Sequence, residues 1–271
     1  MGTEVVTKDI LKKVFPKRRS DAHKYEFGSL LVIGGSKIYH GSPLFNALGA
    51  YRTGVDLVTV LAPERAANLI GSYAPDLITY PLPGDFIEEK HLKTMKKFAE
   101  KCTAVVIGGG IGRERKTQVA VRKFLKNLEK PVVVDADGIR ALKPENVKSN
   151  FVLTPHAAEF QALAGEKATK NNLEKFAKKH KCVLLLTASK DIITDGKKTV
   201  ENWTGNAYMT VGGTGDILAG ICGSLLAQGA EPFDAACAAA YINGRAGDLA
   251  ASVKKQALMA SDILNYIEKV L

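Results

Sequence analysis

Residues 29–36 read Ser29-Leu-Leu-Val-Ile-Gly-Gly-Ser36, and residues 54–60 read Gly54-Val-Asp-Leu-Val-Thr-Val60. Each holds an apolar run of strand length, and the first runs straight into glycines. Between them, Lys37–Pro43 reads as a loop and Leu44–Thr53 as a helix, with Pro43 suited to a first helical turn. Strand, glycine loop, helix, strand is a parallel βαβ unit, and it sets the class as α/β. In such sheets ligands bind beyond the C-terminal ends of the strands.

The alternation continues downstream. Helices are predicted over 63–70, 88–100, 117–128 and 171–181, and strands over 77–80, 104–107, 131–134, 151–153 and 182–186. Short turns or helices follow Asp135-Ala-Asp137-Gly138 and Thr154-Pro-His156, which stand at strand ends. The two carboxylates of the first string suit either a water-bridged Mg²⁺ or a helix cap, with capping favoured for at least one. His156 reads equally as a structural hydrogen-bonder and as a group facing the cleft. Glu159 reads as a helix N-terminal charge or as a carboxylate supporting the site. Asp195-Gly196, flanked by 191–194 and 198–201, signals a hairpin, so the parallel sheet is expected to end in an antiparallel edge.

A second informative stretch is Val211-Gly-Gly-Thr-Gly-Asp216, followed by the apolar run Ile217–Ala227. Glycines at a helix start allow close backbone approach, and the free N–H groups there attract anions. A carboxylate beside an anion site repels phosphate. Asp216 therefore reads either as a helix cap or as a base that takes a proton from a hydroxyl about to receive a phosphoryl group. Neither Gly34–Ser42 nor Gly108–Gly112 fits a Walker loop or the G-x-G-x-x-G fingerprint. An Ala-rich helix over 232–252 and a last helix to Val270 complete one domain over residues 1–271, without repeats or long linkers.

The 38 basic against 28 acidic residues give a net charge of +10, which suits an anionic partner such as a nucleotide. The lysines are dispersed, with only short clusters such as Lys17-Arg18-Arg19, and no nucleic-acid motif accompanies them. No apolar run reaches the roughly 18 residues of a membrane span. Met1–Ser20 is Lys-rich and lacks a signal-peptide core, so a cytoplasmic location is expected. Cys102, Cys182, Cys222 and Cys237 are far apart, which argues for buried free thiols over a zinc site or a disulfide framework.

Taken together, Leu31-Val-Ile-Gly-Gly-Ser36, Gly108–Gly112, Asp135-Ala-Asp137, Leu153-Thr-Pro-His156 with Glu159, and Gly212-Gly-Thr-Gly-Asp216 with Leu218-Ala-Gly220 resemble the NAD(P)H-hydrate dehydratase family. The resemblance covers nearly the whole chain. It implies a ribokinase-like three-layer α/β/α sandwich with a mostly parallel central sheet. It implies nucleotide-dependent repair of NADHX or NADPHX, the hydrated forms of NADH and NADPH, with ADP or ATP as phosphoryl donor and Mg²⁺ held largely through water. Asp216 would be the base, and the N–H groups of Gly213, Thr214 and Gly215 would stabilise the moving phosphoryl group. Ser42, Gly110, Gly112, His156 and Asp216 would contact the hydrated cofactor. Thr187, Ala188, Ser189, Lys190, Asp191 and Gly215 would lie near the AMP portion, with Asn243–Gly247 close by. A homo-oligomer is implied, with the companion epimerase supplied by a separate protein.

Three positions depart from the family pattern. Thr187-Ala188 stands where Lys-Gly is frequent, with Lys190 as a substitute cation. Ser42 replaces an alanine, and Gly109 a proline. A kinase of the same fold acting on a vitamin-like alcohol would share Asp216 and the anion hole, but not the Leu153–His156 and Gly108–Gly112 strings together.

Overall fold

The computed structural model describes residues 4–15 and 17–271. Pro16, expected to stop the first helix, lies outside the described residues. The chain opens with β1 (Glu4–Val5) and α1 (Leu11–Val14). The βαβ unit follows as β2 (Ser29–Ile33), α2 (Gly41–Arg52) and β3 (Leu57–Pro63). Next come α3 (Glu64–Gly71), β4 (Ile78–Leu82), α4 (Leu92–Glu100), β5 (Ala104–Ile107) and α5 (Arg115–Lys126). The centre of the chain supplies β6 (Val132–Val134), α6 (Asp137–Ala141), β7 (Phe151–Leu153), α7 (Ala157–Ala164) and α8 (Lys170–His180). The rest is β8 (Val183–Leu186), β9 (Asp191–Thr194), β10 (Thr199–Asn202), α9 (Thr214–Ala227), α10 (Pro232–Lys254) and α11 (Ala260–Leu264).

The strands form one sheet in the order β1-β10-β9-β8-β7-β6-β5-β2-β3-β4. Its pairings are parallel except those of β9, which runs antiparallel to both β8 and β10. The Asp195-Gly196 hairpin forms because the Asp195 carboxylate accepts the N–H groups of Lys197 and Lys198, both at 2.7 Å. Beyond it lies β1, which pairs parallel with β10 and is the outermost strand.

Strand alternation sorts the core into two layers. Leu30, Val32, Val106, Val133, Val152 and Leu185 pack on one face, against α2, α9 and α10. Leu31, Ile33, Ile107, Val134, Leu153 and Leu184 pack on the other, against α4, α5, α7 and α8. The three layers are thus helix, sheet, helix, and the neighbours along each strand serve opposite cores. All four cysteines are buried and free.

Two boundaries differ from the sequence reading. The predicted loop over 37–43 ends earlier, because Gly41, Ser42 and Pro43 already wind into the first turn of α2. Proline lacks only an N–H that has no partner in a first turn, so it does not delay the helix. The predicted final helix divides into α11 and a 3-10 turn over Ile267–Lys269.

From β2 the chain proceeds outward through β3 and β4, and from β5 it proceeds the other way through β6, β7 and β8. The sheet therefore reverses its winding between β2 and β5, and a crevice opens beyond their C-terminal ends. Both glycine loops, Gly34-Gly35 and Gly108–Gly112, sit at that point, and Gly35 N–H donates to the Gly109 carbonyl at 2.9 Å.

Candidate active site

Helix α9 enters the crevice with Gly213 as its N-cap at φ +105°, a left-handed conformation that suits glycine. The Thr214 hydroxyl donates to the carbonyls of Met209 and Val211, at 3.1 and 3.2 Å, and anchors the helix start. The side chain of Asp216 caps nothing, although it lies in the first turn. Its carboxylate lies over Gly109, where a Cβ would meet Oδ1 at 2.7 Å. The missing side chain at Gly109 is the space that the carboxylate uses. Asn46, a buried polar residue of α2, donates from Nδ2 to the Asp216 carbonyl at 2.7 Å and fixes the turn. Burial raises the Asp216 pKa to about 6, against the lowering effect of a hydrogen bond from Ser42.

A second carboxylate faces the same space. Asp135 is 8% exposed at the end of β6 and accepts a 2.6 Å hydrogen bond from the Thr154 hydroxyl. Burial, then the charge of Asp216, push its pKa up to about 8, with a smaller contribution from Glu159. The next residue, Ala136, has φ +48°. A side-chain-bearing residue in that region costs about 1–3 kcal/mol, and this turn sends Asp135 toward the crevice while α6 starts at Asp137. Neither carboxylate caps α6, whose N-cap is Ala136. Asp137 instead pairs with Arg113 at 3.3 Å and Arg140 at 3.7 Å.

His156 does both things its sequence position allowed. Its Nδ1 accepts the N–H groups of Ala158 and Glu159, at 3.1 and 3.3 Å, and so caps α7. An accepting Nδ1 leaves the proton on Nε2, 3.3 Å from the buried Glu159 carboxylate. Glu159 returns a bond to the His156 N–H at 3.1 Å, completing a capping box.

Two cavities meet at the first turn of α9. The smaller, about 190 Å³, is lined by Asp135, Thr154, His156, Glu159, Gly215 and Asp216 among others. The larger, about 530 Å³, is lined by Thr187–Ser189, Asp191, Thr204–Ala207, Met209, Thr210, Thr214, Gly215 and Asn243-Gly244 among others. Gly215, Thr187 and Leu218 face both cavities. Among the described residues no lysine or arginine lines either one. Lys190 is the member of the 187–191 segment that turns away, with its ammonium 4.1 Å from the centroid of the Trp203 ring. Asp191 holds the segment in place through the Ala188 N–H at 3.1 Å and Asn202 Nδ2 at 3.0 Å.

The expected substrate residues flank the smaller cavity without all lining it. Ser42 reaches the Asp216 carboxylate. Gly110 sits between Tyr39 and Ser42, and Gly112 faces open space. One side is large, backbone-rich and nucleotide-sized and the other small and acid-lined, and chemically the start of α9 could take a phosphate with a carboxylate beside it.

The sequence pattern of the NAD(P)H-hydrate dehydratase family matches residues 30–269. The chain belongs to that family. It is 33% identical over 280 residues to an ADP-dependent (S)-NAD(P)H-hydrate dehydratase of Cenarchaeum symbiosum, covering 100% of this chain and 98% of that relative. It is 39% identical over 262 residues to a bifunctional NAD(P)H-hydrate repair enzyme of Pyrobaculum aerophilum, covering 94% of this chain and 52% of the relative. The chain thus spans about half the length of the bifunctional relatives. A ribokinase-like superfamily protein from Enterococcus faecalis superposes with a TM-score of 0.87 at 24% identity, over 98% of this chain and 94% of that one, which establishes the ribokinase-like fold.

Three contributors have no role that the sequence alone assigns. Thr154 stands inside the Leu153–His156 string, but its bond to Asp135 spans 19 residues. Asn46 carries a weak signal, as an amide between the apolar residues Leu44-Phe45 and Ala47-Leu48. Segment 204–210 carries almost none, because its lining role depends on the way it folds back over α10.

Proposed function

We propose that this chain dehydrates the hydrated nicotinamide ring of NADHX or NADPHX, using ADP or ATP, and so regenerates NADH or NADPH. The observation that supports it is the placement of Asp216, a partly buried carboxylate in an anion-binding helix turn, between a nucleotide-sized cavity and an acid-lined one.

In this reading the nucleotide lies in the larger cavity, along Thr187–Asp191 and Asn243, with its terminal phosphate at the N–H groups of Gly213, Thr214 and Gly215. Those fixed donors stabilise the charge that develops on the transferring group. The hydroxyl of the hydrated ring faces Asp216. Its proton passes to the carboxylate as its oxygen bonds to phosphorus, and the shortened nucleotide leaves. The ring carbon–oxygen bond then breaks, phosphate departs, and loss of a proton from the neighbouring carbon restores the double bond. With ADP the products are AMP and phosphate. Ser42, Gly110, Gly112 and His156 hold the ring against Asp216. His156, whose Nε2 faces Glu159, borders the ring on that side.

The acid-rich lining fits a divalent cation brought in on the phosphates. Among the described residues no group of three or more His, Cys, Asp or Glu is arranged to hold a metal directly. Mg²⁺ would be held through water by Asp135 and Glu159, and would supply neutralisation of the phosphoryl charge. We place the protein in the cytoplasm as a homo-oligomer.

The test is recovery of the reduced-nicotinamide absorbance band from hydrated NADH with Mg²⁺ and either ADP or ATP. Recovery with one nucleotide supports the reading and names the donor. Absence of recovery with both, while the nucleotide binds and a hydroxymethylpyrimidine or hydroxyethylthiazole is phosphorylated, overturns it in favour of a small-alcohol kinase.

A further inference from the structure

The smaller cavity, about 190 Å³, falls below the roughly 300–1,000 Å³ of pockets that enclose a drug-sized ligand. It holds one ring, and the rest of a dinucleotide must lie outside it. On the side of β8 and β9 the space belongs to the larger cavity. The way left open runs along the C-terminal ends of β5, β2, β3 and β4.

That way passes over a turn that is tied down on several sides. Ser36 N–H donates to the Tyr39 carbonyl at 2.9 Å, and Lys37 N–H to the Asp85 carbonyl at 2.7 Å. Arg65 Nη1 donates to the Lys37 carbonyl at 2.7 Å, and Lys37 Nζ pairs with Asp85 at 3.2 Å. This rigid turn nevertheless presents Ile38 and Tyr39 to solvent, at 67% and 55% exposure. Tyr39 borders the reaction centre directly: a Cβ on Gly110 would lie 3.0 Å from the Tyr39 Cβ and 3.3 Å from that of Ser42. Beyond the turn opens a third cavity, about 420 Å³, lined by Glu64, Arg65, Asn68, Leu69, Gly84 and Asp85. Among the described residues Arg65 has no carboxylate partner, and Leu69 is 40% exposed.

We infer that this third cavity holds the distal nucleotide of the dinucleotide substrate, with the Ile38-Tyr39 turn beneath the link between its halves. Of the two carboxylates in the lining, Asp85 is paired with Lys37, and the tethered Arg65 guanidinium, without an ion-pair partner, suits a phosphate of that link or of the distal ribose on the side away from Glu64. The exposed Leu69, Ile38 and Tyr39 give the ribose and base an apolar surface. The inference rests on the dehydratase reading and extends it from the reacting ring to the rest of the molecule.

The experiment compares hydrated NADH with the hydrated form of reduced nicotinamide mononucleotide, which lacks the distal half, using the full chain with ADP and Mg²⁺. The wild type is expected to favour the dinucleotide about tenfold or more in kcat/KM, the scale of a hydrogen-bonded charged contact. Arg65→Ala should remove most of that advantage through KM, and Arg65→Lys should restore part of it. AMP affinity should stay unchanged in both variants, and kcat/KM for the mononucleotide should fall far less than that for the dinucleotide. Equal turnover of the two substrates by the wild type overturns the inference, as does an Arg65→Ala loss shared by both substrates. If the wild type dehydrates neither, the dehydratase reading falls, and this inference with it. If it dehydrates both without preference, only the distal site falls.

Discussion

The two cavities that meet at α9 differ in almost every respect except that meeting point. The larger is walled by small residues, loop backbone and a few amides, and its one carboxylate, Asp191, is spent on holding its own loop. In the wall of the smaller, the proton affinities of two carboxylates are driven upward and apart, to about 6 at Asp216 and about 8 at Asp135. The first binds by shape and by N–H groups. The second is built for proton transfer, because two acids whose environments separate their titrations can hold different protonation states at one pH. In the proposed reaction a nucleotide seated in the first would present its terminal phosphate to the second, with the backbone of Gly213–Gly215 making the handover.

The sharpest way to break this division is Asp216→Asn. It should lower turnover by about 10²–10⁴-fold while leaving AMP affinity, measured by calorimetry, within about twofold. Loss of nucleotide binding in parallel would mean that the two cavities are not functionally separate. Next in size, Gly213→Ala attacks the handover. The new Cβ would meet the Phe45 ring at 2.7 Å and Ala260 at 2.9 Å, at a backbone φ of +105°. A destabilisation of about 1–3 kcal/mol in denaturant unfolding is expected, with weakened nucleotide binding.

Asp135 offers a test by pH. Its folded pKa, about 8, stands above the ordinary 3.8, so between those values the folded state holds more protons than the unfolded chain. Its contribution therefore makes stability fall as pH rises through that window. Asp135→Asn should flatten the decline, since the Thr154 hydroxyl can still donate to the amide oxygen. An unchanged slope would place the decline elsewhere. Turnover should show the opposite trend at its acid limb, falling as pH drops through about 6, where Asp216 gains its proton. The smallest effect is that of His156→Ala, which removes the α7 cap. A stability loss of about 1 kcal/mol is expected, accompanied by a raised KM for the hydrated cofactor.

The sheet was legible in the sequence because each central strand is a short apolar run ending in glycine or a turn, as at Ile33-Gly34 and Ile107-Gly108. The Asp195-Gly196 hairpin was legible for the same local reason. Strand β1 was not, since two residues carry no periodicity and its pairing with β10 spans most of the chain. At the candidate site, residues on strand ends such as Asp135 and His156 come together because the parallel strands put their C-terminal ends at one rim of the sheet. The bond from Thr154 to Asp135 and the hold of Asn46 on α9 are products of packing between elements distant in sequence. So is the position of Lys190, which the family resemblance implied to lie near the nucleotide and whose ammonium lies over the Trp203 ring.

The most direct test of the central claim is a product count in a limited-turnover reaction of hydrated NADH, ADP and Mg²⁺ with the wild-type chain. The account predicts one AMP and one phosphate for each reduced nicotinamide formed, because a single phosphoryl transfer at Asp216 precedes each elimination. Reduced nicotinamide formed without AMP would show that water leaves directly, and would contradict a phosphoryl-transfer role for the α9 turn and its base.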